Sequence, residues 1–328
     1  MGLNRGRGGR KVEVAVAAPA TPCVDCKMID EYAPHQDFVR PARHVTQPGM
    51  VAWVMCIVVA AFVGWPFVIT QVLPLQAHIA LYEGTTAGGT LAQFGIFGLS
   101  AVVFIKALRH YHQRGFWSLI GPYRMAWDHL RGVAISVGVL LILVQVILPW
   151  GQWGPPSQVY SLPGWVLMLP VAVVAILVQV ITEEMVFRGY LQQQLACLSA
   201  SRWLWMGLPS IVFGALHFWN GNSGPEGFVY AVWAGLLGLA CADLTARTGT
   251  LGAAIGLHLA TNFCATMFVA VEDFPMSGLA LFLVPSIDAD QMSADIAAIA
   301  GPWMVFSILF STLSVLTVWL AARIAVRR

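Results

Sequence analysis

Long stretches without a charged residue constrain the fold of this chain more than any other feature. Gly132–Thr182 carries no Asp, Glu, Lys or Arg, and neither does Gly49–Tyr82. Only 10% of the 328 residues are charged and 58% are hydrophobic, whereas a soluble domain carries about 25% charged residues. The chain is therefore predicted to be an integral membrane protein whose structural units are apolar helices.

The uncharged runs divide into about eight candidate membrane helices, because one span needs about 17–25 apolar residues. Within Gly132–Thr182, the segment Gly151–Gly164 contains three prolines and separates the third span from the fourth. The other spans lie within Met50–Leu73, Gly84–Ile105, Trp203–Trp219, Gly227–Ala242, Gly249–Val271 and Gly301–Ala322. The predicted fold class is an all-α, polytopic membrane protein.

All 18 Lys and Arg residues fall on one side of this eight-span arrangement. The opposite connections carry acidic residues such as Glu83, Glu226 and Glu272, and no basic residue. Because cytoplasmic loops carry the excess of Lys and Arg, both termini are predicted to be cytoplasmic. We expect a multi-pass protein of a bacterial inner membrane, with the lipid bilayer as a partner. The sequence contains no block of basic residues interleaved with aromatic residues, so it does not indicate nucleic acid as a partner.

Two segments outside the spans differ in composition from the rest. Residues 1–48 are rich in Gly, Arg and Pro and are predicted to form a mobile, polar cytoplasmic tail, whereas residues 49–328 form the membrane domain. Cys23 and Cys26 in the tail are interpreted as two cytosolic thiols, with a zinc site as the alternative. Glu272–Ala300 is acidic and without periodicity, and is interpreted as a short amphipathic cap on the outer side.

Polar side chains interrupt the apolar spans at three places. Ionisable residues at membrane depth are costly to bury, so they indicate a functional site by default. The three motifs are Glu183-Glu184-x-x-x-Arg188, Phe213-x-x-x-His217 and His258-x-x-x-Asn262. Residues four apart share a helix face, so Glu184 is predicted to pair with Arg188. Glu183 then points elsewhere and is available as a general base.

The spacing of the third motif places His258 and Asn262 on one helix face, well inside an uncharged span. With His217 and Glu183, these groups could activate water and stabilise an oxyanion. Each motif also has a simpler interpretation: a solvated ion pair, a satisfied core histidine and an interhelical hydrogen bond. The combination favours one polar cavity enclosed by the fourth, fifth and seventh spans. This requires that the fourth helix continues past Arg188, which we predict, or that the fifth helix is short and dips into the protein.

The three motifs, in this order on successive apolar segments, resemble the CPBP family of intramembrane proteases. This family includes the type II CAAX prenyl endopeptidases and the bacterial Abi proteins. The resemblance covers about Gly164–Phe268. It implies an endopeptidase that cuts membrane-associated or prenylated (CAAX-type) proteins or leader peptides. It also implies the role of each motif residue: Glu183 is the catalytic glutamate, Glu184 and Arg188 support it, His217 helps to activate water, and His258 and Asn262 stabilise the oxyanion or help to bind a metal.

The motifs are compatible with more than one cofactor state and more than one class of function. Glu183, His217 and His258 could hold zinc in an open site. The same groups could activate water without a metal, which is the interpretation that we prefer. The alternative to an enzyme is a non-catalytic scaffold, immunity or regulatory protein of the same family. A proton-coupled transporter is a third class, which the apolar outer halves of the fourth and seventh spans disfavour.

Overall fold

The computed structural model describes residues 30–147, 155–221, 224–285 and 289–327, and almost all of its regular structure is helical. The described α-helices are α1 (Ala33–Val39), α2 (Pro48–Val72), α3 (Leu75–Glu83), α4 (Ala87–His112), α5 (Trp117–Ile120), α6 (Tyr123–Ile147), α7 (Leu162–Glu184), α8 (Gln192–Leu198), α9 (Leu208–Leu216), α10 (Gly224–Thr248), α11 (Gly252–Met267) and α12 (Ala289–Ala325). The described strands are β1 (Gln158–Val159), β2 (Val269–Val271) and β3 (Phe282–Val284).

The prediction of a polytopic helical membrane protein is confirmed. Within the described residues, 6 helical runs are long and apolar enough to cross a membrane. They begin at Pro48, Ala87, Tyr123, Leu162, Gly224 and Gly301. The fifth and seventh predicted spans are shorter helices: α9 with the preceding π-helical turn Trp203–Gly207, and the 16-residue α11. Most of α11 is buried by other helices, so its length is not set by a need to cross lipid.

The fourth predicted span is one helical run of 37 residues, Leu162–Leu198. It consists of α7, the π-helical segment Met185–Leu191 and α8. The helix therefore continues past Arg188, which was the condition for placing Glu183 inside the protein instead of at a helix end. A π-helical segment in an α-helix is rare and is often found at a functional site.

A small sheet lies where the third and fourth spans and the seventh and eighth spans are connected. Its strand order is β1-β3-β2, with β1 antiparallel and β2 parallel to the central β3. This arrangement corrects the interpretation of Glu272–Ala300 as a short amphipathic cap. The segment instead contains the 3-10 turn Ser277–Leu279, strand β3 and the start of α12.

Part of the predicted mobile tail is folded, which differs from the expectation. Asp30–Ala42 forms short helices, and Phe38, Val39 and Ala42 are buried. His35 is completely buried, stacks on Trp205 with ring centroids 4.4 Å apart, and accepts a hydrogen bond from Gln192 (3.2 Å). Burial lowers the pKa of His35 to about 3. Composition alone missed this segment because its apolar residues are few. Cys23 and Cys26 lie outside the described residues.

Candidate active site

The first motif forms a buried ion pair. Arg188 Nη1 lies 2.9 Å from Glu184 Oε1, and the two side chains are 1% and 0% exposed. The predicted pairing is therefore present, and it is not a solvated surface bridge. Arg188 also lies over the Phe213 ring at 4.5 Å, in a cation–π contact. Gly238 makes room for the guanidinium, because a Cβ at that position would lie 2.6 Å from Arg188 Nη2.

His258 lies between the two glutamates. Its Nδ1 is 2.8 Å from Glu184 Oε1, and its Nε2 is 3.6 Å from Glu183 Oε2. A carboxylate accepts hydrogen bonds, so we assign the proton to Nδ1. The motif spacing predicted that His258 and Asn262 together face the substrate carbonyl, whereas the structure directs both ring nitrogens of His258 towards carboxylates. Glu184 thus accepts from Arg188 and His258 together and fixes the orientation of the imidazole.

Asn262 has a partner that the motifs did not include. Its Nδ2 donates to Gln179 Oε1 at 2.9 Å. Gln179 is buried and lies four residues before Glu183 on α7, so both side chains lie on one face. The signal in the sequence was an amide in an otherwise apolar span, one helical turn from a candidate base. The second N–H of the Asn262 carboxamide remains available for a substrate oxygen.

His217 follows the last residue of α9 and is connected to the cluster through the Phe213 ring. Its Nδ1 donates to the Phe213 carbonyl at 2.7 Å, which leaves Nε2 as an acceptor. The Phe213 ring contacts both imidazoles, with centroids 4.4 Å from His217 and 5.8 Å from His258. Within the described residues, no hydrogen bond or ion pair joins His217 directly to Glu183. The prediction from the sequence was that His217 and Glu183 share a water molecule, which requires no direct bond between them.

Close packing of α9 against α10 places His217 near a further residue, Tyr230. A Cβ at Gly214 would lie 2.4 Å from the Ala231 carbonyl oxygen, so only glycine permits this approach. Gly214 therefore leaves room for the neighbouring helix α10. The Tyr230 and His217 rings are nearly parallel, with centroids 6.4 Å apart. The Tyr230 side chain is hydrogen-bonded to the Asn220 side chain and interacts electrostatically with Glu183.

A cavity of about 860 Å³ adjoins this cluster. Its volume falls in the usual range for ligand sites. Tyr230 and Asn220 are part of its wall, and so is Thr266, which donates to the Asn262 carbonyl at 2.8 Å. The motif residues themselves do not line the cavity, and Tyr230 is the wall residue that contacts His217 and Asn220. The rest of the lining is mostly apolar, with Phe62, Pro66, Ile96, Phe97, Trp219, Phe274 and Met276 among its residues.

Several polar atoms of the cluster are buried without a hydrogen-bond partner among the described residues. They include Glu183 Oε2, Glu184 Oε2 and two guanidinium nitrogens of Arg188. Buried polar atoms in proteins are almost always paired, either with protein or with ordered water. Glu183 Oε2 is therefore a position at which a water molecule would bind.

The candidate metal ligands do not fit a metal site in this geometry. Among the described residues, no group of three His, Cys, Asp or Glu side chains is arranged to hold an ion. Glu183, His217 and His258, the candidate ligands of the zinc alternative, are not such a group. Nδ1 of each histidine is engaged by a backbone carbonyl or by Glu184, so Nε2 is the ring nitrogen that each could offer to a ligand.

Comparisons with known proteins agree with the motifs. The chain is 29% identical over 188 residues to the "Uncharacterized protein YyaK" of Bacillus subtilis (strain 168). That alignment covers 54% of this chain and 60% of the relative. No solved structure matches the chain. Residues 165–264 match the family described as "Type II CAAX prenyl endopeptidase Rce1-like", which confirms the resemblance carried by the three motifs.

Proposed function

We propose that this protein is an intramembrane endopeptidase that hydrolyses peptide bonds of membrane-associated proteins with water activated by Glu183. One observation carries the proposal: a buried, unpartnered carboxylate oxygen of Glu183 lies 3.6 Å from His258 Nε2, in a cluster beside a large apolar cavity. The match of residues 165–264 to an endopeptidase family supports the same class of reaction. The roles of the individual residues follow from their hydrogen bonds.

The proposed reaction begins with a water molecule bound to Glu183 Oε2. Glu183 removes a proton from this water as its oxygen attacks the carbonyl carbon of the scissile peptide bond. His217 offers Nε2 as a second acceptor for the same water. The carbonyl oxygen becomes an oxyanion, which the free N–H of Asn262 stabilises. Collapse of the intermediate breaks the C–N bond, and the proton on Glu183 passes to the leaving amine.

His258, oriented by the Glu184–Arg188 pair, assists Glu183 in its role as general base. Glu184 holds the Nδ1–H of His258, so Nε2 points at Glu183 and can share a proton with it. Arg188 compensates the charge of Glu184 inside the protein.

The proposed substrate is an apolar peptide segment held at the membrane. A prenylated CAAX-type carboxyl terminus and a leader peptide both satisfy this description. The apolar cavity wall supports a lipid-like or hydrophobic ligand. We propose an inner-membrane location with both termini in the cytoplasm, because the basic residues all lie on one side of the arrangement.

The test compares native membranes that contain wild type, Glu183→Gln or Asp128→Asn, read by proteomics of newly formed peptide termini. Glu183→Gln keeps the size and hydrogen bonding of the side chain but removes its basicity. Asp128 is a matched control because it is an exposed carboxylate in a surface pair, 3.5 Å from Arg131. We expect termini that occur with wild type and Asp128→Asn and disappear with Glu183→Gln, at equal folded yield. Equal cleavage by all three proteins would refute the proposal and favour the scaffold alternative.

A further inference from the structure

Strand β2 presents a free edge to the cavity. All three of its residues, Val269, Ala270 and Val271, line the cavity, whereas β3 contributes only Val284. Successive side chains of a strand point to opposite faces of the sheet. A cavity that touches three consecutive residues therefore touches the strand at its edge. In the described part of the chain, the only strand that pairs with β2 is β3, on its other side.

The ladder between β2 and β3 shows which backbone groups face the cavity. Phe282 N–H donates to the Phe268 carbonyl, and Glu272 N–H donates to the Val284 carbonyl, each at 2.8 Å. Polar groups of successive strand residues point to alternate sides, so positions 268, 270 and 272 face β3. Val269 and Val271 must then direct their N–H and C=O groups away from β3.

Three of these outward groups have no backbone partner among the described residues. The Val271 carbonyl accepts from Phe274 N–H at 3.2 Å, so it is satisfied by a turn. The Val269 N–H, the Val269 carbonyl and the Val271 N–H remain. An unpaired strand edge does not occur against lipid, but it is tolerated where it lines a cavity. The pattern of donor, acceptor and donor matches the backbone of a second extended chain.

This edge lies within reach of the catalytic cluster. Helix α11 carries His258 and Asn262 and leads directly into β2. Val269 follows Asn262 by seven residues, which is about 10 Å at 1.5 Å per helical residue. An extended peptide advances about 3.3 Å per residue. A peptide bond near Asn262 would therefore be about three residues from the segment that lies beside Val269.

We propose that the substrate binds as an extended strand along the free edge of β2, with alternate apolar side chains directed into the cavity. The identity of this ligand as the substrate rests on the proposed peptidase function, whereas the binding mode does not require cleavage. Backbone pairing would supply affinity without regard to sequence, and the cavity wall would select apolar side chains. Strand addition also holds the peptide extended, which exposes the scissile bond to the activated water.

The experiment uses the full chain carrying Glu183→Gln in detergent micelles. The probe is a fluorescein-labelled octapeptide of alternating valine and threonine, prepared unmodified and with one N-methyl group at each position in turn. Fluorescence anisotropy gives the Kd of each peptide, with protein-free micelles as the control for partitioning. We expect N-methylation to weaken binding about tenfold at every second position in the paired segment, where the N–H faces β2, and to have little effect between them.

A second variant tests the protein side of the same contact. Val271→Pro removes a cavity-facing N–H. It should raise the Kd of the unmodified peptide to the value that wild-type Val271 gives with the most weakly binding N-methylated peptide. The thermal unfolding temperature should not change. Uniform effects of methylation, no effect, or no binding up to about 1 mM would overturn the proposal. Alternating sensitivity, together with equal cleavage by wild type and Glu183→Gln in the membrane experiment, would instead refute the peptidase function and leave the strand-binding site intact.

Discussion

Removal of Arg188 should destabilise the protein far more than removal of an exposed arginine. Glu184 and Arg188 are 0% and 1% exposed, so Arg188→Met would leave a buried carboxylate without its cation. Breaking a buried ion pair in this way costs about 3–5 kcal/mol. We expect the lower end, about 3 kcal/mol, because His258 still donates to Glu184 Oε1. Loss of the contact with Phe213 acts in the same direction.

The measurement is the free energy of unfolding in mixed micelles, obtained from titrations with a denaturing detergent. Arg131→Met is the matched control, since its pair with Asp128 is 61% and 65% exposed and should contribute about 1 kcal/mol or less. The double variant Glu184→Gln with Arg188→Met leaves no stranded charge, so it should be more stable than Arg188→Met alone. Equal effects of Arg188→Met and Arg131→Met, or a double variant no better than the single one, would refute this reasoning.

Three further predictions address the site, the folded tail and the orientation. Once a substrate is known, Asn262→Ala should lower kcat by about 10²–10³ through loss of one oxyanion donor, and Gln179→Leu should lower it less; unchanged kinetics for both would remove them from the site. The pKa of His35 is about 3 when folded, below its unfolded value of about 6.5, so acidification favours the unfolded form. Stability of the docked α1 should therefore fall by about 1.4 kcal/mol per unit from about pH 6.5 towards 3. Limited proteolysis measures this slope, which His35→Phe should remove. A membrane-impermeant thiol reagent added from outside should label cysteine at Asp273 and not at Arg109; the reverse pattern contradicts the orientation.

The charge pattern and the motif spacing were sufficient to predict the helical membrane fold and the first contact of the site. Uncharged runs such as Gly132–Thr182 indicate membrane spans without any tertiary information. The spacing of four between Glu184 and Arg188 predicts their pairing because both residues lie on one helix. The helical run to Leu198 was predictable for a similar reason, since the residues after Arg188 carry little turn chemistry.

Contacts between helices were harder to predict, since they depend on relative rotation and depth. The position of His258 between two glutamates, and the hydrogen bond from Asn262 to Gln179, join α11 to α7. Nothing in the spacing within α11 specifies these partners. Folding of Asp30–Ala42 depends in the same way on a surface formed by later parts of the chain, which includes Trp205 and Gln192.

The π-helical segment Met185–Leu191 lies within the fourth helix, so the number of residues in this helix determines which side chains after it face the protein interior. Each residue of an α-helix advances the azimuth by about 100°, so deletion of one residue from the α-helical part, α7, would rotate all that follows by that angle. Gln192, Gln193 and Gln194, which follow the first motif and are fully buried, would turn towards other neighbours or lipid. Because a π-helical turn holds about one residue more than an α-helical turn, Met185–Leu191 sets the rotation of α8 relative to α7, so that the same face of both helices points to the protein interior.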